Sequence, residues 1–524
     1  MKHRSLVSRI IHISSNTRAK ATVITLMFTM AITSLFLSCS SPLGPSFGSS
    51  SDADLSNNAG TANSRTVTAL AISSIVPAAN ATNISIGQPV VITFNTTVKT
   101  VPSTLITLTD TASGAAIPGR LSIDSSKTKV YYHPIFQTST EGSGSSATIR
   151  ISGPKQGRSY RITVNGTVTA ENGTTLSIHQ TSTYTCTNLD YGIWWFSGTG
   201  EAQKCIPGIP NQFYDPSKPV VLYIHGWQKG SVTNNYWREV PYIWNDKYTS
   251  NVNTGTFWKQ KGYNLGVFYW DQFADEDEVK DAEAKIWVGN NGLKQMRYKL
   301  SNGTYVSFST AQSAGDLLYN AYVEALSGNS SGYIRLVGHS LGNQMATVLT
   351  YKAAAAAKNG SLSSALVPKR VYLADPFWSK DAKAYLSNKW TGEVCRTYIN
   401  YAISQYSVIV EQSKSTAIGG YLVGDENVDM RKMTTFFRIW PDFISITDAA
   451  LQHSYAVLWY FWSMAGTVQT QNGALGAAAA DSTVRSMMNY GKPSYYYWYS
   501  SGSGNNTNTS LDDSYIRASG VSTW

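Results

Sequence analysis

Between residues 69 and 186 the apolar positions come in short bursts. "VVITF" (90–94), "RLSI" (120–123), "KVYYHP" (129–134) and "YRITV" (160–164) are rich in β-branched and aromatic side chains, and Gly, Asn, Asp and Ser divide them. In the last burst Tyr160, Ile162 and Val164 alternate with polar neighbours, which buries one face of a strand. No helical period competes, so the region is expected to be an all-β sandwich. His133 and His179 fall inside it and are expected as surface strand residues rather than ligands.

From 187 to 524 the pattern changes. The runs "VVLYIHG" (220–226), "LGVFYWD" (265–271), "YIRLVGHS" (333–340), "RVYLADP" (370–376), "CRTYINYAI" (395–403) and "TTFFRIWPDF" (434–443) predict strands. "AQSAGDLLYNAYVEALS" (311–327) and "NQMATVLTYKAAAAAK" (343–358) carry apolar residues at helical spacing. Strands alternating with helices in this way predict an α/β, doubly wound, mostly parallel sheet.

The first 68 residues belong to neither pattern. A basic start is followed by "ATVITLMFTMAITSLFL" and then "SCSS", which reads as an export signal over residues 1–39. Its Ser38-Cys39 end resembles a lipoprotein signal, which implies that Cys39 carries lipid and anchors an exported protein to a membrane at the cell envelope or outer surface. Residues 40–68 are Ser, Gly, Asn and Ala with few core-formers, a flexible linker. Net charge is +10, but Lys2, Arg4, Arg9, Arg18 and Lys20 all precede the first apolar run. No basic cluster interleaved with aromatics appears, so nucleic acid is not an expected partner. Beyond Cys39 only Cys186, Cys205 and Cys395 remain, an odd number that cannot all pair.

The serine-nucleophile pattern Gly-x-Ser-x-Gly occurs three times, around Ser46, Ser330 and Ser340. Ser46 lies in the linker, with no strand or helix to hold it. Ser330 lies after a helix and before a strand, at the amino edge of the expected sheet. Ser340 alone follows a strand and opens a helix, the context in which the motif carries chemistry. There Gly338 and Gly342 permit a turn too sharp for larger residues, with His339 between strand and nucleophile. A serine hydroxyl needs a base. The region holds only His225, His339 and His453. His339 belongs to the turn itself and His225 ends a strand, which leaves His453 in "ALQHSYAVLWYFWSM". The third member must be a carboxylate, and Asp375 ends the strand after the nucleophile. Asp425 in "YLVGDENVDM" is the other candidate, because many hydrolases carry the acid one strand later.

"YIHGW", "VFYWD", "IRLVGHSLG" and "VYLADP", in this order, look like the lipase branch of the α/β-hydrolases and are similar to the pancreatic-lipase-like group. "IVPAANATNISIGQPVVITFNTTVK" and "YRITVNGTVTAENGTTLS" resemble a bacterial Ig-like domain. The first resemblance implies a carboxylic ester hydrolase acting on an ester or lipid, with Ser340 as nucleophile, His453 as base and Asp375 as acid. It also implies an oxyanion hole from the backbone N–H groups of Trp227 and Leu341. No cofactor is needed, and no metal is expected. Asp271 and Asp275 in "YWDQFADEDE" read as a solvated acidic turn. Two other functions stay open: an esterase acting on acylated carbohydrate, and a non-catalytic surface binder that uses the fold as a scaffold.

Overall fold

The computed structural model describes residues 67–141, 148–234, 238–290, 295–416 and 424–522. The signal segment, most of the linker, Cys39 and Ser46 lie outside them.

Residues 70–186 form a β-rich region of two sheets. Ile72–Val76, Val90–Phe94, Lys129–Pro134 and Gly119–Ile123 make one, and Ala81–Ile84, Thr175–Cys186, Ser159–Ala170 and Ile106–Asp110 lie in the other. Val90, Ile92, Leu108, Tyr160, Ile162 and Tyr184 meet between them in one core. His133 is buried rather than at the surface. Its Nε2 lies 2.9 Å from the Ser122 hydroxyl, and burial pushes its pKa down to about 4.

The rest is built on a larger sheet. Its main strands are β1 (Gly192–Phe196), β2 (Val220–Ile224), β3 (Asn264–Tyr269), β4 (Ile334–His339), β5 (Arg370–Ala374), β6 (Ile409–Lys414), β7 (Thr435–Arg438) and β8 (Tyr496–Ser500). They lie in the order β1-β3-β2-β4-β5-β6-β7-β8, parallel from β3 to β8. Alternate side chains of each strand enter different cores, as the two-residue strand period requires. Val221 and Tyr223 pack on one face with α4 (Ala449–Trp462). Val220, Leu222 and Ile224 pack on the other with α1 (Ala314–Leu326), α2 (Gly342–Lys358) and α3 (Thr391–Tyr406). A capping box starts α1: the Asp316 N–H donates to Ser313 Oγ at 3.0 Å, and the Ser313 N–H donates back to Asp316 Oδ2 at 2.8 Å.

Two elements differ from the sequence pattern. "CRTYINYAI" is helix α3, not a strand, because Cys395, Ile399, Ala402 and Ile403 line one helical face that packs beside α2. The strand at that place in the sheet is β6, "IVEQSK", all of it buried.

A hairpin from the β-rich region completes the larger sheet. Phe136–Glu141 pairs with Thr148–Ser152, and Phe136 and Gln137 also pair with Ala202 and Glu201 of the strand Glu201–Lys204 beside β1. Phe136 meets Trp194 of β1 edge-on at 4.4 Å. Residues 68–522 accordingly belong to one compact unit.

Candidate active site

β4 ends at His339 and α2 begins at Gly342, so Ser340 sits on the turn between them. Its φ is 54°, a left-handed value that an L-residue adopts only where its surroundings enforce it. The turn is tied down on two sides. The Ser340 N–H donates to the Ala374 carbonyl at 3.1 Å, and Asn343 Nδ2 donates to the Ser340 and Ala374 carbonyls at 3.0 and 2.8 Å. Neighbouring backbone also crowds it. A Cβ at Gly342 would lie 2.2 Å from the Ile224 carbonyl oxygen, and one at Gly338 would lie 2.8 Å from Asn343 Cα. Among the described residues the hydrogen bonds of Ser340 are made by its backbone, and its side chain is half-buried.

Asp375 follows β5 at the same edge and is fully buried. Its Oδ2 accepts the Ser415 N–H at 3.2 Å, the Ser415 O–H at 2.9 Å and the Thr416 N–H at 2.9 Å. Burial pushes the carboxyl up, but His453, Lys414 and the Ser415 hydrogen bond outweigh it. The group is held below the usual carboxylate range.

His453, in the first turns of α4, stands with Nδ1 3.3 Å from Asp375 Oδ2. The N–H is not aligned well enough for a full hydrogen bond, and Asp375 Oδ1 has no donor among the described residues. Long catalytic contacts of this kind are common before substrate binds. The His453 side chain is 21% exposed, so its outer nitrogen can reach a ligand.

The other two histidines are fixed and neutral. His225 Nε2 accepts the Trp270 N–H at 3.1 Å, and Nδ1 lies 2.9 Å from the Gly226 carbonyl. Burial pushes its pKa down to about 3. His339 packs against His453 with ring centroids 4.6 Å apart, and its Nε2 lies 3.2 Å from the His453 carbonyl. Burial, followed by the His453 charge, pushes His339 down to about 3. Glu239 faces this pair, with Oε1 4.0 Å from His339 Nδ1, and is held by the Tyr223 hydroxyl and Gln228.

Leu341 follows Ser340 in the turn, and Trp227 follows Gly226 just beyond β2. Gly226, just before Trp227, approaches so closely that an added Cβ would lie 2.9 Å from Ser340 Cβ and 3.2 Å from the Leu341 nitrogen. The Trp227 indole donates to the Glu276 carbonyl at 2.7 Å, which fixes this loop. Asp425 is placed elsewhere. Its N–H donates to the Trp378 carbonyl at 2.8 Å, and its Oδ1 caps the Asn427 N–H at 2.7 Å.

The acidic stretch after β3 is not a solvated turn. Asp271, Asp275 and Glu276 are fully buried. Asp275 pairs with Lys299 at 2.9 Å, Glu276 with Lys285 at 2.6 Å and Asp271 with Arg238 at 3.4 Å, because buried charge persists only when paired. Cys186, Cys205 and Cys395 are all free thiols. Ser330 is exposed at the amino end of β4, with its N–H donated to the Pro216 carbonyl at 2.8 Å, an ordinary loop contact.

Ser415, Thr416, Asn343 and Glu239 are the neighbours of the site that sequence reasoning missed. Asn343 stands three residues after Ser340, where a check of the motif's own first helical turn would have found it. Ser415 and Thr416 directly follow β6, the strand that the sequence pattern hides.

No protein-family model matches the chain, and no curated protein matches it. Similar solved structures include part of Escherichia coli alpha-2-macroglobulin spanning domains MG0-NIE-MG1, at 14% identity, 24% of this chain and TM-score 0.17. The chain spans 34% of that structure. They also include two hydrolases. The poly(3-hydroxybutyrate) depolymerase LpqC of Bordetella parapertussis matches at 14% identity over 47% of this chain and 64% of its own, with TM-score 0.21. The acylaminoacyl peptidase of Pyrococcus horikoshii matches at 10% identity over 63% and 52%, with TM-score 0.24.

Proposed function

We propose that this chain is a serine hydrolase of the α/β-hydrolase type that cleaves carboxylic esters by acyl transfer. One observation carries the reading: the Asp375 carboxylate, held by Ser415 and Thr416, stands 3.3 Å from His453 Nδ1 at the sheet edge where Ser340 occupies a left-handed turn. In the proposed reaction His453 takes the Ser340 proton as the oxygen attacks the ester carbonyl. Asp375 orients the imidazole and stabilises its cation. The Leu341 and Trp227 N–H groups receive the oxyanion, each worth roughly 3 kcal/mol by analogy with known oxyanion donors. His453 then protonates the departing alcohol, and water repeats the sequence to release the acid.

The reading includes export. Residues 1–39 direct the chain out, Cys39 carries the lipid anchor, and residues 40–68 hold an Ig-like region and the catalytic region away from the membrane. If this is right, Cys39→Ala releases the protein into the soluble fraction.

The deciding experiment is labelling with a fluorophosphonate probe, which needs an activated hydroxyl. Wild type, Ser330→Ala and Ser46→Ala should label, and Ser340→Ala should not. Folded protein that hydrolyses no p-nitrophenyl ester of any chain length would favour the non-catalytic binder. Cleavage of peptide amides ahead of esters would overturn the ester assignment but not the nucleophile.

A further inference from the structure

The segments that lead into β2 and β3 form the amino edge of the parallel sheet, opposite the edge that carries Ser340 and Asp375. A cavity of about 420 Å³ lies there, lined by Phe213, Tyr214, Asp215, Lys218, Lys259 and Tyr263 among others. That volume is within the usual range for small-molecule sites.

Lys259 is the unusual member. It lies on the short helix Gly255–Gln260, and its stem runs so close to Gly198 that a Cβ there would come within 2.7 Å of Lys259 Cγ. No hydrogen bond or ion pair is described for its ammonium group among the described residues. Burial, and then the Lys218 charge, push its pKa down to about 8. Asp215 relieves it only in part. That carboxylate accepts the Ser217 N–H and O–H at 2.9 and 2.6 Å and pairs with Lys218 at 3.4 Å. The walls therefore carry two cations against one anion, and the half-buried Lys259 has its charge only partly offset, an imbalance that a bound anion would correct.

The other walls suit a ring. Phe213, Tyr214 and Tyr263 are aromatic, and Tyr214 is held by stacking on Trp195 at 4.5 Å. The Asn264 amide is committed to the Asp215 and Lys218 carbonyls at 2.7 and 3.2 Å, so the exposed polar side chains at the rim are Gln212 and Lys218, the latter paired with Asp215. We propose that this cavity is a second ligand site, separate from the acyl-transfer site, which takes a small ring-bearing organic carboxylate such as a sugar acid, with Lys259 as its counter-charge.

The test uses the full chain with D-glucuronate as probe, titrated by calorimetry. A parallel assay measures protection of Lys259 against trinitrobenzenesulfonate, read by peptide mass mapping. Saturable binding in the millimolar range or tighter is expected, together with protection of Lys259. D-glucose, which lacks the carboxylate, should neither bind nor protect. Inorganic phosphate should bind at least about tenfold more weakly, a gap of ~1.4 kcal/mol. Lys259→Met keeps the stem and removes the charge. It should lose the binding, melt at or above the wild-type temperature and keep full fluorophosphonate labelling at Ser340. Glucuronate binding that survives in Lys259→Met, equal binding of phosphate, or no saturation in the millimolar range would each overturn the proposal.

Discussion

The imidazole of His339 lies against that of His453, 4.6 Å between centroids, and its Nε2 reaches the His453 backbone carbonyl at 3.2 Å. The residue before Ser340 thus pins the start of the helix that carries His453. His339→Phe should keep the ring packing and lose the hydrogen bond, lowering kcat by about tenfold, or ~1.4 kcal/mol. An unchanged kcat in a His339→Phe variant that melts like the wild type would show that this hydrogen bond positions nothing.

The two acids can be separated by the same measurement. Asp375→Asn should lower kcat by roughly 10³–10⁴, since the imidazole loses its orienting anion. Asp425→Asn should cost less than about tenfold. Its carboxylate caps the Asn427 N–H and makes no described contact with His453. Both variants must melt like the wild type for the comparison to count. A large loss at Asp425 instead would move the acid one strand along.

Asp513 makes stability depend on pH. It is buried, accepting the Trp459 indole N–H at 2.7 Å and the Tyr515 hydroxyl at 3.0 Å, and burial pushes its pKa up to about 7. The folded chain therefore holds a proton that the unfolded chain gives up. Its contribution to stability falls as pH rises from about 4 to about 7, and the full cost remains above that. Asp513→Asn should raise Tm over the wild type by more at pH 8 than at pH 5. An equal shift at both values would remove the carboxylate as the cause.

The strand–turn–helix bend at Ser340 was legible because its constraints are local. Gly338, Ser340 and Gly342 bound one bend, and the apolar run before it and the helical spacing after it give its direction. β6 was not legible. Its six residues include Glu411, Gln412, Ser413 and Lys414, which read as a polar loop. Their burial is supported by distant partners: Arg370 of β5 pairs with Glu411 at 2.7 Å, a contact 41 residues away in sequence, and Glu426 pairs with Lys414 at 3.3 Å. The neighbouring run reads as a strand because Tyr398, Ile399 and Tyr401 favour strands. On α3, Tyr398 instead stacks on Tyr351 of α2 at 3.9 Å. The expected acidic turn failed for the same reason as β6: each carboxylate has a distant cation that no local pattern announces.

The hairpin that crosses into the larger sheet gives a prediction about folding. Phe136 is 2% exposed and covers Trp194. Phe136→Ala should cost about 3–5 kcal/mol, the usual range for a buried aromatic. A fragment beginning at residue 187 should show a lower urea midpoint than the full chain or fail to fold. An unchanged midpoint would mean that the hairpin merely rests on the sheet.

The same hairpin bears on how such a protein can change over evolutionary time. The junction between the β-rich region and the larger sheet is hydrogen-bonded backbone, with Gln137 opposite Glu201 and Phe136 opposite Ala202. Gene fusion that cut near residue 186 and supplied a different preceding segment would leave Glu201–Lys204 as a bare edge strand, open to pairing with other chains. The two regions are therefore not interchangeable cassettes. They must be inherited and exchanged together, and sequence drift along 136–141 is constrained by a partner more than sixty residues further on.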